Sequence, residues 1–113
     1  GYQRAFRVAN RVWKLVEKWD KLAQFTIGTQ IIRSTDSVSA NLAEGWNKTT
    51  KNHRLKYYHI ALGSLVESQD WLEKAFVRQL ITEAMYRELS DEMDQLLKQI
   101  RHLIGSTRKA LKY

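Results

Sequence analysis

The sequence predicts an all-α protein, an antiparallel up-down bundle of four helices, and three observations lead to this prediction. The 113 residues include no proline and only five glycines, so long helices meet few interruptions. Apolar residues recur at steps of three and four in four segments, which is the period of an α-helix with one buried face. Polar connections of about two to six residues separate the segments, and connections this short join antiparallel neighbours.

The first two helices are predicted over about 3–22 and 26–45. The apolar stripe of the first consists of Ala5, Val8, Val12, Leu15, Trp19 and Leu22. Trp13 widens that stripe, so Trp13 and Trp19 are expected in the core. The stripe of the second consists of Ile27, Ile31, Val38, Leu42 and Trp46. Gly45 is predicted to end the second helix in a left-handed conformation, which glycine adopts without strain.

The third helix is predicted to begin at a Thr49 or Thr50 cap and to end near Gln79. Its stripe consists of Leu55, Tyr58, Leu62, Leu65, Leu72 and Phe76. At 1.5 Å per residue it would be about 43 Å long and would outreach its neighbours. Thr82 is expected to cap the fourth helix, which would end near Gly105 or fray towards Tyr113. The fourth stripe consists of Met85, Leu89, Met93, Leu96, Ile100 and Leu103.

Length and composition limit the class of protein. A chain of 13.3 kDa is expected to form one domain over residues 1–113, which excludes a multi-domain enzyme. No apolar run approaches the roughly 18 residues that cross a bilayer, and no apolar leader is seen, so a soluble, cytoplasmic protein is expected. The absence of cysteine excludes disulfides and thiolate metal sites. A formal charge of +7 favours polyanionic partners.

Six cations recur at steps of three and four through the first predicted helix. They are Arg4, Arg7, Arg11, Lys14, Lys18 and Lys21. At about 100° per residue they share one row, which could follow a phosphate backbone. The alternative is an ordinary solvated helix face.

A second basic group surrounds the connection between the second and third helices. It contains Lys48, Lys51, His53, Arg54 and Lys56, with Trp46, Tyr57 and Tyr58 interleaved. Cations beside aromatic rings suit single-stranded RNA, whose bases stack on the rings. Cations at a helix N-terminus are mildly unfavourable, so helix stability does not explain them. The alternative is an ordinary surface or subunit contact, with Tyr58 buried in the core.

A polar stripe lies beside the apolar one on the second helix. It consists of Gln30, Arg33, Ser37, Asn41 and Glu44, and Ser64 and Glu67 of the third helix could face it. Polar groups this close to a core need partners. The stripe is therefore interpreted as a network that sets helix register or a subunit interface, for example through Arg33 paired with Glu44 or Glu67. The alternative is a ligand-facing site.

Two tryptophans fall outside the main stripes. Trp46 lies at a helix end and Trp71 lies off the stripe of the third helix. Bulky aromatic residues outside a core are typical of interfaces, so both are candidate subunit contacts. The alternative is partial burial within one chain.

The middle of the chain resembles a known family. The matching segments are Gln-Ile-Ile-Arg at 30–33, Ser-Val-Ser-Ala-Asn-Leu-Ala-Glu-Gly at 37–45 and Ile-Ala-Leu-Gly-Ser-Leu-Val-Glu at 60–67. They resemble the four-helix-bundle proteins encoded within 23S ribosomal RNA intervening sequences. That superfamily is similar to the accessory variability determinant of diversity-generating retroelements. The resemblance implies a cytosolic ring, commonly of five subunits, with a basic surface. The retroelement relatives imply binding of RNA and a reverse transcriptase, without catalysis.

An enzyme is not expected. Arg54 and His59 match the Arg-to-His spacing of small helical ribonucleases of the HEPN class, but residues five apart point about 140° apart on a helix. His53, His59 and His102 share no metal-ligand spacing, and no glycine-rich loop is present for a phosphate cofactor. No catalytic, cofactor or metal site is therefore predicted.

The interpretation of these features is a non-enzymatic, oligomeric RNA-binding or RNA–protein scaffolding module, with a reverse transcriptase as a candidate protein partner. Two alternatives stay open. One is a structural or protein-binding assembly that binds no nucleic acid, and the other is an HEPN-like endoribonuclease.

Overall fold

Four helices account for nearly all of residues 1–110, the part of the chain that the computed structural model describes. The first is Tyr2–Glu17, the third Lys51–Val77 and the fourth Glu83–Ala110. The second, residues 21–46, runs through a short α-helical stretch, a π-helical turn and a long α-helix, which are Lys21–Ala23, Gln24–Gly28 and Thr29–Trp46. Successive helices pack together, and the first also contacts the fourth. The predicted all-α four-helix bundle is confirmed.

The chain reverses direction earlier than predicted, at residues 18–20. The side chain of Asp20 accepts a hydrogen bond from the Ala23 backbone N–H at 2.9 Å, so it caps a new helix at the point where the apolar period runs on. The first helix therefore ends at Glu17, and Leu22 is exposed in the second helix. The predicted boundary at Leu22 is wrong because the Asp20 cap starts a new helix, although the apolar repeat of the first helix continues through Leu22.

The first helix buries small residues and not its tryptophan. Its buried positions are Ala5, Val8, Ala9, Val12 and Val16. Trp13 lies on the flank of the buried face, beside Phe25 and Ile32 of the second helix, and is 52% exposed, so its expected place in the core is wrong. Trp19, in the connection, packs partly buried against the core.

Gly45 does not end the second helix. The helix continues through Trp46, and no glycine among residues 1–110 has a positive φ. A Cβ at position 45 would lie 2.6 Å from Cε1 of Tyr58. Gly45 is therefore needed for close approach of the second and third helices, and its predicted role as a left-handed stop is wrong.

Threonine caps begin the two long helices, as predicted. Oγ1 of Thr50 accepts a hydrogen bond from the His53 N–H at 3.3 Å, and Oγ1 of Thr82 accepts one from the Met85 N–H at 3.1 Å. The third and fourth helices have 27 and 28 residues, against 16 in the first. The third helix was predicted to be the only one longer than its neighbours, but the fourth helix is at least as long. The fourth helix passes Gly105, and the predicted fraying towards Tyr113 lies outside the described residues.

One core runs the length of the bundle and draws on all four helices. Its fully buried large side chains include Val12, Ile31, Val38, Tyr58, Leu65, Leu72, Leu89, Met93, Leu96 and Ile100. Two serines interrupt the apolar contact between the second and third helices, where Oγ of Ser68 donates to Oγ of Ser34 at 2.8 Å. Within residues 1–110, no helix has the length and apolar composition needed to span a membrane.

Candidate nucleic-acid interface

Two cations of the predicted first-helix row form ion pairs with the fourth helix of the same chain. Nη1 of Arg4 lies 2.7 Å from Oε2 of Glu92, and Nη2 of Arg11 lies 2.8 Å from Oε1 of Glu88. Arg11 also approaches Sδ of Met85 at 3.6 Å. These contacts join the first helix to the fourth and partly neutralise Arg4 and Arg11.

The other cations of the row are exposed. Arg7, Lys14, Lys18 and Lys21 have no ion-pair partner among residues 1–110. Lys21 belongs to the second helix because the first ends at Glu17. The predicted row on one helix is therefore wrong for Lys21, and its members without an ion pair on or directly after the first helix are Arg7, Lys14 and Lys18.

The second basic group is brought together around two aromatic rings. The guanidinium carbon of Arg54 lies 5.4 Å from the ring centre of Trp46, and Arg54 Nε donates to the Lys48 carbonyl oxygen at 2.7 Å. Nζ of Lys48 and Nζ of Lys56 lie 5.3 and 5.5 Å from the ring centre of Tyr57. These are cation–π distances, so the rings position the cations.

Two titratable groups here have shifted pKa values. The hydrogen bond from Lys48 to Glu44, whose Nζ and Oε1 atoms are 3.0 Å apart, raises the pKa of Lys48. Burial raises the pKa of Tyr58, which is 1% exposed, and the charge of Arg54 opposes that rise. Lys48 therefore stays cationic and Tyr58 stays neutral at physiological pH, and Tyr58 is buried as expected.

The fourth helix contributes cations that the reading of the sequence missed. They are Lys98, Arg101, Arg108 and Lys109, with His102 among them, and all are exposed. They lie beside the second basic group because the third and fourth helices are antiparallel. Nζ of Lys51 donates to the Arg108 carbonyl oxygen at 3.1 Å, and Nη2 of Arg108 lies 3.3 Å from Nε2 of His59.

Residues 45–66 and 95–110 together form what we call the acid-free end of the bundle. They contain eight Lys or Arg, three His and no Asp or Glu. The intervening residues 67–94 contain eight Asp or Glu and three Lys or Arg. The hairpin of the third and fourth helices is therefore positive at one end and negative at the other. The absence of acids in both windows is visible in the sequence, but only the antiparallel packing shows that the windows are adjacent.

The polar stripe of the second helix separates into two contacts with the third. Arg33 pairs with Glu67, and Glu67 also accepts from Nε1 of Trp71 at 3.1 Å. The Oγ atoms of Ser37 and Ser64 are 2.9 Å apart. Arg33 also donates to Oε1 of Gln30 at 3.1 Å, and Asn41 donates to Oγ of Ser37 at 2.9 Å. Glu44 lies apart and pairs with Lys48.

Large apolar side chains are exposed on one side of the first two helices. We call this surface the aromatic face, and it consists of Tyr2, Phe6, Trp13, Phe25 and Trp46. A cleft of about 250 Å³ between Trp13, Phe25 and Ile32 opens on it. Trp46 is 70% exposed, whereas Trp71 is only partly exposed and packs against the core.

The structure directs the two candidate ribonuclease side chains to different neighbours. Arg54 contacts Trp46 and the Lys48 carbonyl oxygen, whereas His59 contacts Arg108. Among residues 1–110, no three His, Asp or Glu side chains are grouped so that they could hold a metal ion.

Comparison with known proteins gives a family and a fold. The family model described as 23S rRNA-intervening sequence protein matches residues 1–102. The chain is similar to a crystal structure of a protein of unknown function from the S23 ribosomal protein family of Bacteroides thetaiotaomicron. The TM-score is 0.86, the sequences are 23% identical, and the match covers 92% of this chain and 94% of the other. No curated protein sequence matches.

Proposed function

The chain belongs to the 23S rRNA-intervening sequence protein family, and we propose that it is a non-enzymatic RNA-binding module that acts as a homo-oligomer in the cytoplasm. The observation that carries the proposal is the acid-free end, where eight Lys or Arg occur without any Asp or Glu. Cations that are not neutralised within their own chain bind polyanions by releasing the counterions of the phosphates.

Ion pairs elsewhere in the molecule support this choice of surface. Arg4, Arg11 and Arg33 pair with acids of other helices, so their charge is used within the fold. At the acid-free end the neighbouring acid is Glu44 of the second helix, which holds Lys48. The remaining cations there have no such partner among residues 1–110. Arg7, Lys14 and Lys18 of the first helix extend the available positive surface.

The aromatic face supports the oligomer in this proposal. Exposed aromatic residues at the surface of a small domain are typical of protein interfaces. In this proposal a second copy of the chain covers the aromatic face. Closed rings of identical subunits bury such a face on every copy. The family resemblance favours five subunits. A ring would present one acid-free end per subunit and bind one RNA through several ends at once.

A reverse transcriptase is the protein partner that the proposal puts first. The resemblance to accessory proteins of diversity-generating retroelements is the support for it. The genomic neighbourhood tests this part separately, since a reverse-transcriptase gene beside this one supports it. An enclosing ribosomal RNA gene without one contradicts it.

The RNA-binding proposal is tested by titrating a structured RNA with the full chain at about 50 and 200 mM salt, using filter binding. We expect binding at micromolar protein or below, with affinity that falls steeply between the two salt concentrations. Each phosphate that the protein neutralises on a duplex steepens the slope of log affinity against log salt by about 0.9. No binding at micromolar protein and low salt would reject the proposal and favour an assembly that binds no nucleic acid.

The same titration includes a check on catalysis. The RNA is recovered and examined on a denaturing gel. Intact RNA agrees with a binding module. Cleavage by the purified chain that disappears in His59→Ala would contradict the non-enzymatic part of the proposal and favour the endoribonuclease alternative.

A further inference from the structure

The aromatic rings at the acid-free end are already occupied by cations of the same chain. Arg54 lies over Trp46, and Lys48 and Lys56 both lie over Tyr57. Arg54 is held there by a second contact, its hydrogen bond to the Lys48 carbonyl oxygen. Tyr58 is buried in the core. Each of these cations therefore lies over a ring face on which a base could otherwise stack, while the rest of the Trp46 side chain stays exposed.

This arrangement differs from what single-stranded nucleic acid requires. Proteins that bind single strands combine cations with ring faces on which successive bases stack. In this chain a base that stacked on a covered ring face would have to displace Arg54 from Trp46, or a lysine from Tyr57. The phosphate-binding part of such a surface is present, and the base-stacking part is partly occupied by the chain's own cations.

The fourth helix places two further arginines in line along the groove between the third and fourth helices. Arg101 and Arg108 are seven residues apart, so they share a helix face and lie about 10 Å apart along the axis. Arg108 approaches His59 of the third helix. One heptad before Arg101, Asp94 accepts from Gln69 of the third helix at 3.0 Å. The groove is therefore cationic towards the helix end and becomes acidic at Asp94.

We infer that the acid-free end binds the phosphate backbone of double-helical RNA through this groove, with Arg101 and Arg108 as direct phosphate contacts. The inference rests on the proposed RNA-binding function and specifies the class of RNA. A duplex keeps its bases stacked inside and displays phosphates and 2′-hydroxyls outside, so it needs cations but no open ring face. The acids of residues 67–94 repel phosphates, so the duplex contacts one end of the hairpin and not its full length.

The test compares two RNAs with equal numbers of phosphates, a blunt RNA duplex of about 16 base pairs and an unstructured oligouridine. Both are labelled and titrated with the full chain by fluorescence anisotropy. We expect tighter binding of the duplex. Tighter binding of the single strand, together with quenching of tryptophan fluorescence that Trp46→Phe removes, would overturn the inference while leaving RNA binding in place. Failure to bind either RNA would overturn the proposed function as well.

Matched arginine pairs test the groove. Arg101→Gln with Arg108→Gln removes two charges from the acid-free end, and Arg78→Gln with Arg87→Gln removes two from the acidic end. For the first pair we expect duplex affinity to fall about tenfold near 200 mM salt, and the slope of log affinity against log salt to fall by about two. The second pair should bind as the unchanged chain does. Equal losses in both pairs, or no loss in the first, would overturn the inference. Circular dichroism should show that both pairs stay helical.

Discussion

At position 45 the fold depends on the absence of a side chain. The ring of Tyr58 occupies the space into which a Cβ would project, at 2.6 Å from Cε1, and Cβ of Tyr57 lies at 3.2 Å. Because Tyr58 is fully buried, its ring has little room to move away. Gly45 thus sets the distance between the second and third helices where the acid-free end begins.

Gly45→Ala should therefore destabilise the chain, although alanine is the better helix former. We expect the free energy of unfolding to fall by about 1–3 kcal/mol, as it does when a packed core is overfilled. Gly63→Ala is the matched control, since no heavy atom lies within 4 Å of the Cβ that would be added there. It should raise stability by about 0.5–1 kcal/mol. Urea unfolding measures both, and stabilisation by Gly45→Ala would contradict the packing argument.

The cations of the first helix are of two kinds, those paired with acids of the fourth helix and those exposed to solvent. Arg4 and Arg11 pair with acids of the fourth helix and close the bundle, whereas Arg7 and Lys14 face solvent. All four have the same charge and similar spacing in the sequence. Their roles differ because only one flank of the helix lies against the fourth.

Paired substitutions should separate the contribution of these cations to RNA binding from their contribution to stability. Arg7→Gln with Lys14→Gln should weaken RNA binding about threefold at moderate salt, because two cations are lost from the positive surface. It should leave the unfolding free energy unchanged. Arg4→Gln with Arg11→Gln should lower the unfolding free energy by about 1 kcal/mol, the usual scale for partly exposed ion pairs. Filter binding and urea unfolding are the measurements, and the reverse pattern would contradict this division.

Helix periodicity and caps account for what the sequence predicts well and for where it fails. Thr50 and Thr82 were predictable caps because each stands directly before a new apolar period. Asp20 was missed because the apolar period continues past it, through Leu22. Trp13 fits the helical period as well as Val12 does, and the positions of the neighbouring helices decide which of the two is buried. The apolar pattern within one helix does not specify how neighbouring helices pack against it.

The candidate interface was harder to predict than the fold for a related reason. Lys48 and Arg54 are close in sequence to Trp46 and were found as a group. Arg101 and Arg108 lie some fifty residues away and join that group only through the antiparallel hairpin. A charge pattern read along one helix cannot reveal a surface that two helices build together.

At the scale of the whole molecule, charge and exposed aromatic residues occupy different surfaces. The acid-free end lies on the third and fourth helices, and the aromatic face lies on the first and second. Trp46 belongs to both, at the point where they meet. A bundle that buries one face against copies of itself can therefore keep the other free for a polyanion.

Acidic substitutions on the aromatic face should take the proposed oligomer apart. Trp13→Glu with Phe25→Glu would place two carboxylates in an apolar contact, where burying unpaired charge is costly, so the particle should fall to the mass of one chain, 13.3 kDa. Val77→Glu changes an equally exposed apolar residue outside that face and should leave the mass of the assembly unchanged. Size-exclusion chromatography with light scattering measures both. Loss of the assembly should also weaken RNA binding, because several linked ends hold one RNA more tightly than a single end does. An unsubstituted chain that already elutes as a single 13.3 kDa species would refute the oligomer, since the aromatic face would then stay open to water.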